Sequence, residues 1–408
     1  MGSKRVPEVR FKGFSDEWEE KKLRELASFA KGNGYSKSDL IEEGEPIILY
    51  GRLYTKYQTV IEEVDTFTKI KEKSLISKGY EVIVPSSGET SEDISRASVV
   101  KRSGVILGGD LNVIYPSDEI NSIFLALTIS NGNQQKELSK KAQGKSVVHL
   151  HNSDLKEVNL YYPKKEEQVQ IGNFFKQLDE TIAFQQQELD TLKQTKQGFL
   201  QKMFPKEGES VPEIRFSGFS SKWCEQKLKK VFKDFIVPMR DKPKEFSGTI
   251  PWTRIEDIEG RFINGTTSGQ YVSEEIIKSM NLKIMPKGSL IVSSSATFGI
   301  VAIVTNDLIT NQTFIGLVPK DMYDIDYLYV FFKSVNIQKK MKRASAGSTI
   351  FYISRKQFEE MIGSFPTLEE QTQIGNFFKQ LDETIALHEQ ELNILKQTKK
   401  AFLQKMFV

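Results

Sequence analysis

Two short segments carry residue types that could do chemistry. Gly144-Lys145-Ser146 has the form of the end of a phosphate-cradling loop, but the glycine such a loop carries five residues earlier is Ser139 here. His149-Leu150-His151 would set two imidazoles on one face of a strand, and such a pair holds a metal when a third ligand stands near. No third ligand follows locally, so a structural or DNA-contact role fits these histidines better. No G-x-S-x-G, H-E-x-x-H or glycine-rich dinucleotide fingerprint occurs. Nor is there an Asn/Asp-Pro-Pro-Tyr/Phe segment of the kind that serves adenine methylation, or a clear Pro-Asp…Glu-x-Lys nuclease core. Cys224 is the only cysteine, which excludes an internal disulfide framework and any multi-cysteine zinc or iron–sulfur centre. With three histidines in all, no metal site is expected.

The elements that would position any site come from a chain of 408 residues that is 38% hydrophobic and 27% charged, a composition able to bury substantial cores. Its 57 basic and 54 acidic residues nearly cancel, so the net charge neither requires nor forbids a polyanionic partner. The longest apolar candidate, residues 289–304, is broken by serines and Thr297, and the start has no apolar signal-peptide core. A cytoplasmic chain without a membrane role is expected.

Self-comparison decides the architecture. Residues 163–204 (PKKEEQVQIGNFFKQLDETIAFQQQELDTLKQTKQGFLQKMF) recur at 366–407 with about three quarters of positions identical. A shorter pair precedes them, PEVRFKGFSDEWEEKKLREL at 7–26 and PEIRFSGFSSKWCEQKLKKV at 212–231. Between the markers lie residues 27–162 and 232–365, which are nearly equal in length and unlike in sequence. The chain is a tandem of two halves with a constant frame and two different inserts. The resulting division is 1–162 as a first domain, 163–204 as a central helix, 205–365 as a second domain and 366–408 as a distal helix.

The repeated segment has helical period. Ile171, Phe175, Leu178, Ile182, Gln185, Leu189 and Leu192 form one seam, and Ile374, Phe378, Leu381, Ile385, His388, Leu392 and Leu395 form the other. Pro163 and Pro366 open the segments, with acidic residues in the first turn. A helix from Glu167 to Met203 would run about 55 Å at 1.5 Å per residue. Two near-identical seams in one chain pack most simply on each other as an antiparallel, pseudo-twofold coiled coil, with Gln185, His388, Lys196 and Lys399 as polar register devices; two independent amphipathic helices are the alternative. The inserts read as mixed α/β. Strands are expected at 46–50, 80–84, 97–100 and 111–115, then a helix near 123–141; in the second insert strands are expected at 250–255, 289–292, 300–304 and 313–318, then a helix near 326–343. The fold class is thus α+β, two α/β domains joined by two long helices.

The PEVRFKGF/PEIRFSGF openings, the duplicated EEQ-x-QIGNFFKQLDETIA helices, the LKQTK-x-x-FLQKMF endings and the unlike inserts together resemble the specificity subunit of Type I restriction–modification systems. The resemblance spans essentially the whole chain. It implies two target-recognition domains that each read half of an asymmetric, bipartite double-stranded DNA site, and paired helices that space them and dock two modification (methyltransferase) subunits. Restriction (motor–nuclease) subunits would complete the assembly. S-adenosylmethionine would then sit on the modification subunits, ATP and Mg²⁺ largely on the restriction subunits, and this chain would bind no cofactor and be non-catalytic. In the first domain the expected DNA contacts are Tyr50, Arg52, Tyr54, Lys56, Ser86, Ser87, Thr90, Lys145, Ser146 and His149. In the second they are Arg254, Ser293, Ser294, Thr297, Arg343, Ser348, Thr349 and Tyr352, with arginines to guanine and hydroxyls to phosphate. A nuclease or methyltransferase with a degenerate site, or a protein-bridging scaffold without DNA, fits less well, because neither explains equal-sized unlike inserts on a duplicated frame.

Overall fold

The computed structural model describes residues 6–91, 93–142, 148–345 and 351–408. The chain forms two compact units, Met1–Gln186 with Glu391–Val408, and Gln187–Gln390. Each unit contains part of both long helices, so the compact units do not follow the four-segment division, because each long helix buries residues in the core of a domain.

The unlike inserts share one topology. In the first unit a five-stranded sheet runs Ala27–Lys31, Leu111–Pro116, Glu81–Pro85, Ser98–Val100, Val60–Ile61. Neighbours are antiparallel except the last pair, which is parallel. The second unit repeats the order and directions with Phe232–Ile236, Phe314–Pro319, Leu290–Ser293, Val301–Val304 and Phe262–Ile263, then adds Ile258–Glu259. The middle strands are covered on both faces and so read as unbroken apolar runs. Their alternation still shows in where the side chains go. Val82 and Val84 enter one core and Ile83 another, as do Leu290 and Val292 against Ile291.

Each expected insert helix is two helices. Ser122–Ser130 and Gly132–Lys141 are separated at Asn131, and Gly132 takes a φ of +68° that glycine adopts without steric cost. Ile325–Lys333 and Val335–Ala344 are separated by Ser334, whose backbone is extended. The strand expected through Ile255 ends at Thr253, and Arg254 instead caps a 3₁₀ turn over Ile255–Asp257.

The repeated motifs bind the long helices, Lys165–Lys202 and Leu368–Lys405, to their domains. In the first unit Arg10 grips Glu167 with two bonds of 2.6 and 2.7 Å, and in the second Arg215 grips Glu370 with two of 2.7 Å. Both carboxylates are fully buried, which they tolerate because a two-pronged guanidinium meets them. The next residue closes the joint. Gln168 accepts from Asn121 N and donates to Pro163 O, and Gln371 accepts from Asp324 N and donates to Pro366 O. Phe11 and Phe216 lie edge-on to Phe174 and Phe377, each pair 5.8 Å apart.

Within the first unit Phe174 meets Phe402 edge-to-face at 5.1 Å, Lys399 pairs with Asp179, and Lys396 reaches Gln186, so the helix segments run antiparallel. Within the second, Phe199 meets Phe377 at 5.1 Å, Lys196 pairs with Asp382, and Lys193 with Glu389 at 2.6 Å. Every residue expected on a seam is buried or half-buried. Ile171 and Phe175, and Ile374 and Phe378, belong to the domain cores, so the start of each seam is a docking face.

Candidate nucleic-acid interface

In the first unit the turn after the central strand forms a two-stranded ribbon, in which Ser87–Gly88 pairs with Val148–His149. Tyr54 donates its hydroxyl to the Ser87 carbonyl at 2.6 Å, and burial pushes that phenol above its usual range. Gly88 makes the approach possible, because a Cβ there would stand 2.8 Å from the Tyr54 hydroxyl. The exposed Tyr50 ring lies edge-on to Tyr54 at 6.2 Å. On the ribbon's outer side Ser87 Oγ and His149 Nδ1 are 3.2 Å apart, within hydrogen-bond reach. The His149 and His151 rings lie parallel, 6.2 Å apart with 2° between planes. The fold thus brings Tyr50, Tyr54, Ser87 and His149 together and adds His151.

Other expected contacts are engaged within the domain. Arg52 is nearly buried and donates to Asp65 at 2.6 Å, to Gln58 and to the Glu63 carbonyl. Lys56 also meets Asp65 at 2.6 Å, and Lys56 first, then Arg52, lowers that carboxyl to about 2. These two cations latch the loop that follows them. Ser86 is buried, and Thr90 bonds Asp93. Lys145 and Ser146 lie outside the described residues.

In the second unit the geometry recurs with other side chains. Ser294 O accepts from Ile353 N as Ser86 O accepts from Leu150 N, so the bridged pair Ser295 and Tyr352 stands where Ser87 and His149 stand. Tyr352 is exposed, while Ser293 and Ser294 are buried and bond inward, Ser293 Oγ accepting from Ile300 N and Ser294 Oγ donating to Thr313 O. Thr297 is half-buried in the turn beside them. Arg254, expected to read a base, uses its backbone N–H on Asp257 and its guanidinium on Gln270 at 2.7 Å. Arg343 pairs with Glu207 through two bonds of 2.9 and 3.2 Å, both side chains being exposed. Ser348 and Thr349 lie outside the described residues.

Beside each ribbon runs a helix whose last turns are basic: Lys136, Lys140 and Lys141 on one, Lys339, Lys340, Lys342 and Arg343 on the other. A narrow two-stranded element with exposed hydroxyl, imidazole and phenol groups suits hydrogen bonding to base edges in a major groove, and flanking cations suit phosphates. Among the described residues no cluster of three or more His, Cys, Asp or Glu could hold a metal ion. No helix there is long and apolar enough to cross a membrane. Sequence reasoning did not single out Ser295, Phe298 and Phe351, because they come together through the Ser295–Tyr352 bridge and the Phe298–Phe351 contact, long-range pairings that no local pattern marks.

A duplicated frame bearing two domains of one topology with unlike exposed side chains defines a tandem recognition chain. The family model for the Type I restriction modification DNA specificity domain matches residues 15–194 and again 221–397. The chain therefore belongs to that family. It is 22% identical over 407 residues to a putative type I restriction enzyme MjaX specificity subunit of Methanocaldococcus jannaschii, covering 95% of this chain and 92% of that one. The MjaIX specificity subunit of the same organism is 31% identical over 169 residues, 41% of this chain and only 39% of the relative. The crystal structure of a Type-I restriction-modification S subunit from M. genitalium shares the fold, with a TM-score of 0.63, 18% identity and 99% coverage of both chains.

Proposed function

We propose that this chain is the DNA sequence-recognition subunit of a Type I restriction–modification enzyme, each domain reading one half of an asymmetric, two-part site. The observation that carries this reading is the ribbon at one structural position in both units, Ser87 with His149 and Ser295 with Tyr352, unlike in residue and alike in geometry. The long helices hold the gap between half-sites and dock two modification subunits. Phe184 and Leu387, exposed apolar side chains at equivalent positions of the two helices and one in each unit, support two equal docking contacts. The chain is non-catalytic and cytoplasmic. S-adenosylmethionine belongs to the modification subunits, and ATP with Mg²⁺ largely to the restriction subunits that join them.

The test is adenine-methylation mapping of a genome after co-expressing the chain with a Type I modification subunit. A new methylated motif of two short half-sites around a fixed gap is expected. No new motif, with the complex shown to assemble, would sink the recognition role.

A further inference from the structure

Beside the second unit's ribbon lies an open cleft of about 930 Å³, lined by Phe298 and Phe351 together with Lys339, Lys342, Arg343 and Glu207. Phe298 projects from a turn held in an unusual shape. Ala296 takes a φ of +61° and Gly299 one of +77°. A residue with a Cβ keeps the left-handed conformation only when its surroundings enforce it. Here Ala296 N donates to Phe351 O at 3.0 Å, and the Lys333 ammonium reaches the Gly299 carbonyl at 3.0 Å. Phe298 is 41% exposed despite standing edge-on to Phe351 at 5.1 Å. The fold thus leaves a large apolar ring partly in water, on a turn held by its backbone, in a cleft that three cations also line. The corresponding turn of the first unit, residues 88–91, is Gly-Glu-Thr-Ser and has no aromatic residue.

We propose that this cleft takes a nucleotide of the bound duplex, an unstacked base lying on Phe298 while its phosphates meet Lys339, Lys342 and Arg343. The proposal rests on the DNA-recognition reading and adds that the second half-site alone is deformed. Aromatic faces accept any base by stacking, and exposed side chains of this kind pry base steps apart. The cations supply the phosphate contacts that make such deformation affordable. Glu207 stands in the cleft as the internal partner of Arg343, in a solvent-exposed pair of the kind that a phosphate can replace.

The experiment selects duplexes from a randomised pool with the full chain, then places 2-aminopurine at successive positions of the selected site. With the native chain, emission should rise at one step of the second half-site only. Phe298→Ala should abolish that rise and weaken binding by roughly 5- to 100-fold, as loss of a base–aromatic stack does. Phe298→Trp should keep the affinity, and Glu207→Gln should tighten binding and raise the salt slope by about one ion. Phe298 is a surface residue, so unchanged thermal unfolding of Phe298→Ala separates lost contact from lost fold. Unaltered affinity and emission in Phe298→Ala would overturn the cleft proposal while leaving DNA recognition standing. So would a drop only for cation variants, which would mark a plain phosphate contact. A chain that selects no duplex at all would overturn both readings.

Discussion

Glycine in the middle of a helix costs about 1 kcal/mol relative to alanine, so mid-helix glycines are ordinarily easy to improve. Gly375 should behave oppositely. A Cβ added there would lie 2.6 Å from Asp324 Oδ1 and 2.8 Å from the Tyr327 backbone nitrogen. Those atoms form the 2.8 Å bond by which Asp324 caps the domain's inner helix. Losing the cap costs about 1 kcal/mol and forced overpacking about 1–3, against a propensity gain of about 1. Gly375→Ala should therefore destabilise its unit by about 1–3 kcal/mol. At Gly172 the nearest atoms stand at 3.1 and 3.2 Å, so Gly172→Ala should fall between no change and a loss of about 1 kcal/mol. Gly198 has nothing within 4 Å, and the second copy of the helix has Ala401 in its place. Gly198→Ala should stabilise by about 0.5–1 kcal/mol. Urea unfolding of the full chain, followed by tryptophan emission, reads the order. If Gly375→Ala unfolds at or above the native midpoint, helix docking at the glycine is wrong.

Arg10→Met should cost about 3–5 kcal/mol because it strands the buried Glu167 carboxylate, whereas Arg10→Met with Glu167→Met should recover most of the loss; equal thermal destabilisation of both variants would refute the clasp. Arg52→Ala should expose the loop at 52–65 to proteolysis and leave both half-sites of a methylation map unaltered; loss of a first-half letter would instead make Arg52 a base reader. Asp65 has a folded-state pKa below its unfolded value near 4, so its latch stabilises above about pH 4 and is lost as pH falls toward 2. The effect is that of a well-solvated pair, and the protection of the loop's amides, relative to their intrinsic exchange at each pH, should be lower at pH 3 than at pH 6 in the native chain and not in Asp65→Asn. His149→Ala should relax the first half-site alone and Tyr352→Ala the second alone, as read by methylation mapping; a change in the wrong half would break the assigned equivalence.

The duplication and the long helices were legible because near-identity and a three–four apolar period survive in the letters themselves. The central strands were legible too, since burial on both faces makes Val82-Ile83-Val84 and Leu290-Ile291-Val292 unbroken apolar runs. The same run of four strands and a helix was legible in both inserts, but the shared order of the strands in the sheets was not, because a strand preserves burial and pairing rather than residue identity. The partners of the arginines were not legible for a related reason. Asp65, Gln58 and Gln270 capture Arg52 and Arg254 across loops whose closure no local pattern reports. Nothing in the letters around Phe298 marks it, and only the fold sets it in one cleft with Arg343.

The positions that match between units and those that differ obey one physical rule. Arg10 and Arg215, Glu167 and Glu370, Gln168 and Gln371, Gly172 and Gly375 all sit in buried joints, where one methyl group or one unpaired charge costs kilocalories. The ribbon is held differently, by main-chain bonds such as Leu150 N to Ser86 O and Ile353 N to Ser294 O. Its outward side chains contribute little to the fold, so histidine and tyrosine can exchange there without disturbing the strand beneath. A frame constrained at its buried joints and a reading edge free to vary its outward side chains are what let one architecture carry two different readers.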